Sequence, residues 1–85
     1  MARSFFTDEY AIFVAQLVIA RKSAGVTQVD LAERLAKPQS FISKIERGER
    51  RVDVLEFCAI AQALGAKPDQ LLKDILNHIP GRLQI

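Results

Sequence analysis

The chain has 85 residues, 49% of them apolar, and a formal net charge of +2 at pH 7. This length and composition allow one small folded domain and exclude a disordered chain. The lone Cys58 excludes an internal disulfide, and with the lone His78 it supplies too few ligands for a metal site, so we expect no metal and no other cofactor.

Threonine and glycine delimit the first two predicted helices. Thr7 can cap the first helix and Gly25 ends it, while Thr27 caps the second with Asp30 three residues on, in a box-like arrangement. Apolar residues repeat at three- and four-residue steps in both helices, which predicts sides that face a core. They are Tyr10, Phe13, Leu17 and Ala20 in the first helix, and Leu31, Ala32 and Leu35 in the second.

Three more helices follow. Pro38 is placed to begin the third helix and Gly48 to stop it, and Asp53 and Glu56 cap the start of the fourth. The core residues expected in the last two helices are Phe57, Ile60, Ala61 and Leu64, then Leu71, Leu72 and Ile75. Five short helices in one chain of this length predict an all-α fold, a compact five-helix bundle formed by the single domain 1–85.

The third helix has two unlike sides. At 100° per residue, Phe41, Ile42 and Ile45 fall on one side. The other side spans about 140° and carries Gln39, Ser40, Ser43, Lys44 and Arg47. An amide suits adenine N6 and N7, a serine hydroxyl bonds to any base, and a lysine suits guanine. Short side chains also let a helix lie deep in the major groove, so this side predicts base contacts by Gln39, Ser40, Ser43 and Lys44.

Positive charge is concentrated around this helix. Residues 21–51 contain eight Lys and Arg against four Asp and Glu, a net of +4, whereas the segments before and after carry −1 each. Such a distribution indicates a surface that faces a polyanion. Phosphate contacts are typically made by cations at the point where a helix leaves the groove. They are also made at the polar N-terminus of the preceding helix. The residues expected to make them are Thr27, Gln28, Arg47, Arg50 and Arg51.

The stretch TQVDLAERLAKPQSFISKIERGERR, residues 27–51, resembles the helix-turn-helix of the Xre-type regulators, which include phage repressors and Cro proteins. The resemblance runs from about Leu17 to Leu72, and the helix-turn-helix itself covers about 27–47. It implies a lambda-repressor-like fold and sequence-specific binding to double-stranded DNA. By position it implies that Gln28 touches the DNA backbone and orients Gln39. It also implies that Arg21 pairs with Glu46, which fixes the reading helix and holds Arg21 near phosphate.

Three positions depart from the pattern of this family. Ala36 stands where a glycine is often found at the turn, which bears on how the second helix ends. Pro38 and Lys67 stand where capping residues are common, so the third and fifth helices lack a side-chain cap. The exact depth of Gln39 in the groove depends on where the third helix starts.

The first helix carries a second apolar stripe opposite its core side, at Ile12, Ala15 and Ile19. The chain termini either cover this stripe within one molecule or join it in a two-fold dimer interface. Exposed apolar area favours the dimer, because such area usually marks an interface. The residues expected there are Phe5, Phe6, Ile12 and Ile19, with Leu83 and Ile85 of the tail 80–85. A dimer of this type binds two half-sites roughly 34 Å apart.

Together these features predict a sequence-specific DNA-binding transcriptional regulator that acts as a repressor and a homodimer. We expect it in the cytoplasm of a prokaryote, associated with the nucleoid, and encoded by the prokaryote or by a phage. No nucleophile–base pair, metal cluster or phosphate loop is present in the sequence, so we expect no enzyme. No apolar run reaches the roughly 18 residues that span a bilayer, and the short chain leaves little room for a small-molecule effector domain. Two alternatives remain open: an antitoxin that binds DNA and a protein partner, and a protein-interaction module that does not bind DNA.

Overall fold

The computed structural model describes residues 7–83, most of which lie in five α-helices. They are α1 (Asp8–Ser23), α2 (Gln28–Arg34), α3 (Gln39–Glu46), α4 (Val54–Ala63) and α5 (Pro68–Leu76). No strand occurs in this part of the chain, so the predicted all-α fold with five helices is confirmed. That residues 1–85 form one domain stays a prediction, because residues 1–6 and 84–85 lie outside the described range.

Capping boxes fix the starts of α2 and α4. The N–H of Asp30 donates to the Thr27 hydroxyl at 3.0 Å, and the Asp30 carboxylate accepts from the N–H of Thr27 at 3.2 Å. Asp53 and Glu56 repeat this exchange at 2.7 and 3.0 Å. Each box satisfies two N–H groups that a helix start leaves without partners. Pro38 is the N-cap of α3 and gives it no side-chain cap, and the helix begins at Gln39.

The core lies where the apolar sides of all five helices meet. It contains Leu17, Val26, Leu31, Ala32, Ile42, Ile45, Phe57, Ile60 and Ile75. Helix α2 packs against α3 and α4, α1 packs against α3 and α5, and α4 packs against α5. The apolar side of α3 is buried by this arrangement, and the polar side is left facing outward.

The buried line of α1 differs from the predicted one. Val14, Leu17 and Arg21 are buried, whereas Tyr10 and Phe13 are only half-buried. Apolar residues surround most of α1, so their spacing could not single out the side that packs. With 16 residues, α1 is the longest of the described helices, and none of them could cross a membrane.

Helix α2 ends in a turn that normally requires glycine. The N–H of Lys37 bonds to the carbonyl of Ala32 at 2.9 Å, and the N–H of Ala36 bonds to the carbonyl of Glu33 at 3.1 Å. These are the two hydrogen bonds of a Schellman motif. Ala36 has a φ of 55° and is the only non-glycine residue between positions 7 and 83 with a positive φ. Its Cβ makes this conformation unfavourable by about 1–2 kcal/mol.

Replacing Ala36 with glycine should therefore stabilise the protein. We expect Ala36→Gly to raise the free energy of unfolding by about 0.5–1 kcal/mol, because the relieved strain exceeds the added entropy of the unfolded chain. Urea denaturation measures this change. The matched control is Ala59→Gly at an exposed position inside α4, which should lower stability by about 1 kcal/mol. Equal stability losses in the two variants would contradict the assigned strain.

Candidate DNA-binding surface

The outward side of α3 is polar and accessible. Gln39, Ser40 and Lys44 are exposed, and Ser43 is half-buried, with its hydroxyl donating to the Ser40 carbonyl at 3.3 Å. On the opposite side Ile42 and Ile45 are buried. The two-sided character predicted for this helix is therefore present. That the four polar side chains contact bases stays a prediction.

A buried ion pair anchors the end of α3. Arg21, which is 8% exposed, donates from Nε and Nη2 to the Glu46 carboxylate at 2.6 and 3.0 Å. Its Nη1 donates to the carbonyl of Val26 at 2.9 Å. One guanidinium thus joins α1, the α1–α2 loop and the last residue of α3.

This placement bears on the phosphate contact expected of Arg21, which stays a prediction. Three of its nitrogens are bonded inside the protein, and the charge of its guanidinium is neutralised by Glu46. Leaving Glu46 for a DNA phosphate would strand a carboxylate that is itself largely buried, which is strongly unfavourable. Arg21 therefore anchors the end of α3 from inside the protein.

Two glutamine side chains extend this ion pair to the surface. Gln28 donates from Nε2 to Glu46 Oε1 at 2.8 Å. Gln39 donates from Nε2 to Gln28 Oε1 at 3.3 Å. Arg21, Glu46, Gln28 and Gln39 form a continuous hydrogen-bonded chain that runs from the protein interior to the outward side of α3. We refer to these four residues as the amide chain.

The arginines that follow α3 differ in how freely they can reach a ligand. Arg47 pairs with Glu49 at 2.9 Å, and both side chains are more than half exposed. Arg50 makes two hydrogen bonds to the Glu56 carboxylate, at 2.9 and 2.8 Å, and a third to the carbonyl of Arg51. Arg47 is therefore held by a weak surface pair, whereas Arg50 is fixed to the start of α4.

Aromatic rings also contact the cations around α3, and the sequence analysis did not predict these contacts. The Arg50 guanidinium lies 4.6 Å from the centre of the Phe41 ring, and Lys37 Nζ lies 5.3 Å from the same centre. The Arg51 guanidinium lies 4.2 Å from the centre of the Tyr10 ring. These cation–π contacts hold Lys37 and Arg50 against α3 and Arg51 against α1. The two arginine contacts follow no periodic pattern, because they depend on the path of the 47–53 loop.

Glu56, in the first turn of α4, accepts hydrogen bonds from Arg50 of this loop. Hydrogen bonds from Arg50, followed by the one from the N–H of Asp53, lower the pKa of Glu56 to about 2 from an ordinary value of 4.5. A carboxyl whose pKa is lower in the folded state stabilises the fold above its ordinary pKa. That contribution is lost as the pH falls from 4.5 toward 2.

The fall in unfolding free energy at acid pH should therefore depend on the ion pair between Arg50 and Glu56. We expect Glu56→Gln to flatten the fall in unfolding free energy between pH 4.5 and pH 2, as measured by urea denaturation at a series of pH values. Arg50→Gln should flatten it as well, since Arg50 is the main cause of the lowered pKa. An unchanged slope in both variants would contradict the assigned role of the pair.

No group of three or more His, Cys, Asp or Glu side chains in residues 7–83 is arranged to hold a metal ion. Cys58 is half-buried and packs against the core.

Known proteins are similar to this chain in sequence and in the arrangement of their helices. The model of a helix-turn-helix family matches residues 17–71. The chain is 35% identical over 52 residues to the uncharacterized HTH-type transcriptional regulator y4dJ of Sinorhizobium fredii, a match that covers 61% of this chain and 68% of that protein.

Two solved structures extend the comparison. An XRE-family like protein from Pseudomonas syringae superposes with a TM-score of 0.79 at 42% identity, covering 86% of this chain and 89% of that one. The restriction-modification controller protein C.AhdI from Aeromonas hydrophila superposes with a TM-score of 0.68 at 28% identity, covering 76% of this chain and 98% of that one. The chain therefore belongs to the helix-turn-helix family and is an Xre-type DNA-binding transcriptional regulator.

Proposed function

We propose that this regulator is a repressor that reads its operator in the major groove with residues 39–47. The observation that carries the proposal is the outward side of α3, where Gln39, Ser40 and Lys44 are exposed on a helix anchored by a buried ion pair. Binding alone is the mechanism, since a bound protein that covers a promoter excludes polymerase. No chemical step is required.

Each polar side chain on α3 has a role in this proposal. Gln39 forms a bidentate contact with adenine, and Lys44 donates to guanine. Ser40 and Ser43 donate to or accept from neighbouring base edges. Burial of Ile42 and Ile45 on the opposite side supports these roles, because it fixes the rotation of α3 about its own axis.

Phosphate contacts surround this reading helix. Thr27 and Gln28 approach the backbone at the start of α2, and Arg47 and Arg51 approach it after α3. Arg47 can exchange Glu49 for a phosphate at little cost, because exposed ion pairs contribute only about 0–1 kcal/mol. Arg50 is bonded to Glu56 and contributes mainly by holding the 47–53 loop and through its positive field.

Selection from a random duplex library tests the reading helix. We expect the wild-type chain to enrich a defined site and Gln39→Ala to lose preference at one base pair, at a cost of about 1–3 kcal/mol. Arg47→Ala should weaken binding to all sequences alike and reduce the dependence of affinity on salt.

The control for this selection is Gln62→Ala, which removes an exposed glutamine from α4 on a different part of the fold. Its site preference should match that of the wild type. If Gln39→Ala enriched the same site as the wild type with the same stringency, α3 would not be the reading helix.

We further propose that the protein acts as a homodimer on two half-sites, in the cytoplasm of a prokaryote. The α1 stripe predicted for the interface is unevenly accessible, with Ile12 half-buried and Ile19 52% exposed. Phe5, Phe6 and Ile85 lie outside the described residues. Larger exposures occur at Val54 and Leu55, at 76% and 79%, in the first turn of α4.

The first turn of α4 is therefore our preferred centre of the interface. It follows directly on the 47–53 loop, and it carries the most exposed large apolar side chains among residues 7–83. Leu72 was expected in the core but is 41% exposed. With Leu76, Ile79 and Leu83 it lines an apolar groove of about 240 Å³ beside Tyr10 and Phe13.

Sedimentation equilibrium distinguishes the two candidate interfaces. We expect Leu55→Glu to weaken dimerisation at least about tenfold, because it buries an unpaired charge at the contact. Ile19→Glu makes the same kind of change on α1 and should leave the dimer intact. Dissociation by Ile19→Glu alone would place the interface on the predicted α1 stripe, and a monomeric wild type would remove the dimer altogether.

A further inference from the structure

We propose that Glu49 is an internal competitor of DNA: in the free protein its carboxylate occupies the guanidinium of Arg47, which a DNA phosphate takes in the complex, and so limits the affinity for every duplex. This inference rests on the proposed function, in which Arg47 contacts the DNA backbone. It gives a role in binding to an acidic residue that lies within the cationic segment 44–51.

The backbone fixes the position of Glu49 at the end of the reading helix. The N–H of Glu49 donates to the carbonyl of Lys44 at 2.8 Å, and the N–H of Gly48 donates to the carbonyl of Ile45 at 3.0 Å. These are the two hydrogen bonds of a Schellman motif, in which Gly48 has a φ of 78°. The side chain of Glu49 therefore starts from a defined point beside the last turn of α3.

The pair between Arg47 and Glu49 has the geometry of a phosphate contact. Arg47 donates from Nε and Nη2 to the two oxygens of the Glu49 carboxylate, at 2.9 and 3.1 Å. Arginine makes the same two parallel hydrogen bonds to a phosphate. A phosphate that binds this edge of the guanidinium must displace the carboxylate, and one that binds elsewhere on it meets a charge that is already neutralised. The two side chains are 56% and 54% exposed, so a phosphate can reach the pair.

Glu49 carries a full negative charge in this position. Hydrogen bonds from Arg47 are the main cause of a lowered pKa of Glu49, and the positive charges of Arg47 and Lys44 lower it further. The carboxylate is therefore ionised at neutral pH. It lies beside the two cations to which the proposed function assigns a phosphate and a guanine.

Removing the carboxylate leaves Arg47 without its internal partner and adds one positive charge to the surface that faces DNA. We expect Glu49→Gln to raise the affinity about two- to fivefold, a moderate gain because an exposed ion pair is weak. The plot of log affinity against log salt concentration should become steeper by about 0.9, the value for one more neutralised phosphate. The selected duplex and a random duplex should gain by the same factor, since phosphate contacts carry no sequence information.

Fluorescence anisotropy at a series of salt concentrations measures these affinities for the wild type, Glu49→Gln, Arg47→Ala and the double variant Arg47→Ala/Glu49→Gln. In the Arg47→Ala background the gain from Glu49→Gln should largely disappear, because both residues act on the same hydrogen bonds. The matched control is Asp69→Asn, which makes the same change of charge at an exposed position of α5, a helix that packs against α1 and α4. It should bind both duplexes as the wild type does.

The outcomes separate this inference from the proposed function. If Arg47→Ala weakens binding but Glu49→Gln does not strengthen it, the carboxylate does not compete with DNA and the inference is overturned. A gain that persists in full in the Arg47→Ala background assigns the effect to general repulsion and also overturns it. A gain confined to duplexes with one particular base pair would make Glu49 a reader of bases, again against the inference. If Arg47→Ala binds both duplexes as tightly as the wild type, the proposed phosphate contact itself fails.

Discussion

The buried ion pair between Arg21 and Glu46 is the interaction on which the rest of this structure depends. It is the only point where α1, the α1–α2 loop and the end of α3 are joined by one side chain among residues 7–83. A buried pair of this kind adds little net stability over apolar packing, but removing one partner costs about 3–5 kcal/mol. Its value is therefore positional, because it joins the end of α3 to α1 and to the α1–α2 loop.

The helix boundaries could be predicted from the sequence because local chemistry sets them. Capping boxes start α2 and α4, formed by Thr27 with Asp30 and by Asp53 with Glu56. After α3 the chain turns at Gly48, whose φ of 78° few other residues tolerate. The polar side of α3 was predictable for a similar reason. Eight residues with a clear division between polar and apolar positions leave one way to pack, with Ile42 and Ile45 inside.

Other features could not be predicted because they depend on tertiary geometry. Helix α1 is apolar on most sides, so its spacing favoured Tyr10 and Phe13 over Val14, which the structure buries. The pairing of Arg50 with Glu56 and its contact with Phe41 depend on the backbone path of the 47–53 loop. As a consequence, a loop that looks in sequence like a cluster of free cations is a braced segment, in which Arg50 lies against Phe41 of α3 and Arg51 against Tyr10 of α1.

The central claim is that the outward side of α3 enters the major groove with Gln39 against a base. The most direct measurement is the ¹H–¹⁵N spectrum of the protein, including side-chain amide signals, during titration with its selected duplex and with a random duplex of equal length. The account predicts that the side-chain amide of Gln39 and the backbone amides of residues 39–44 shift strongly with the selected duplex and weakly with the random one. Shifts confined to α4 and α5, with the Gln39 side chain unchanged, would contradict it.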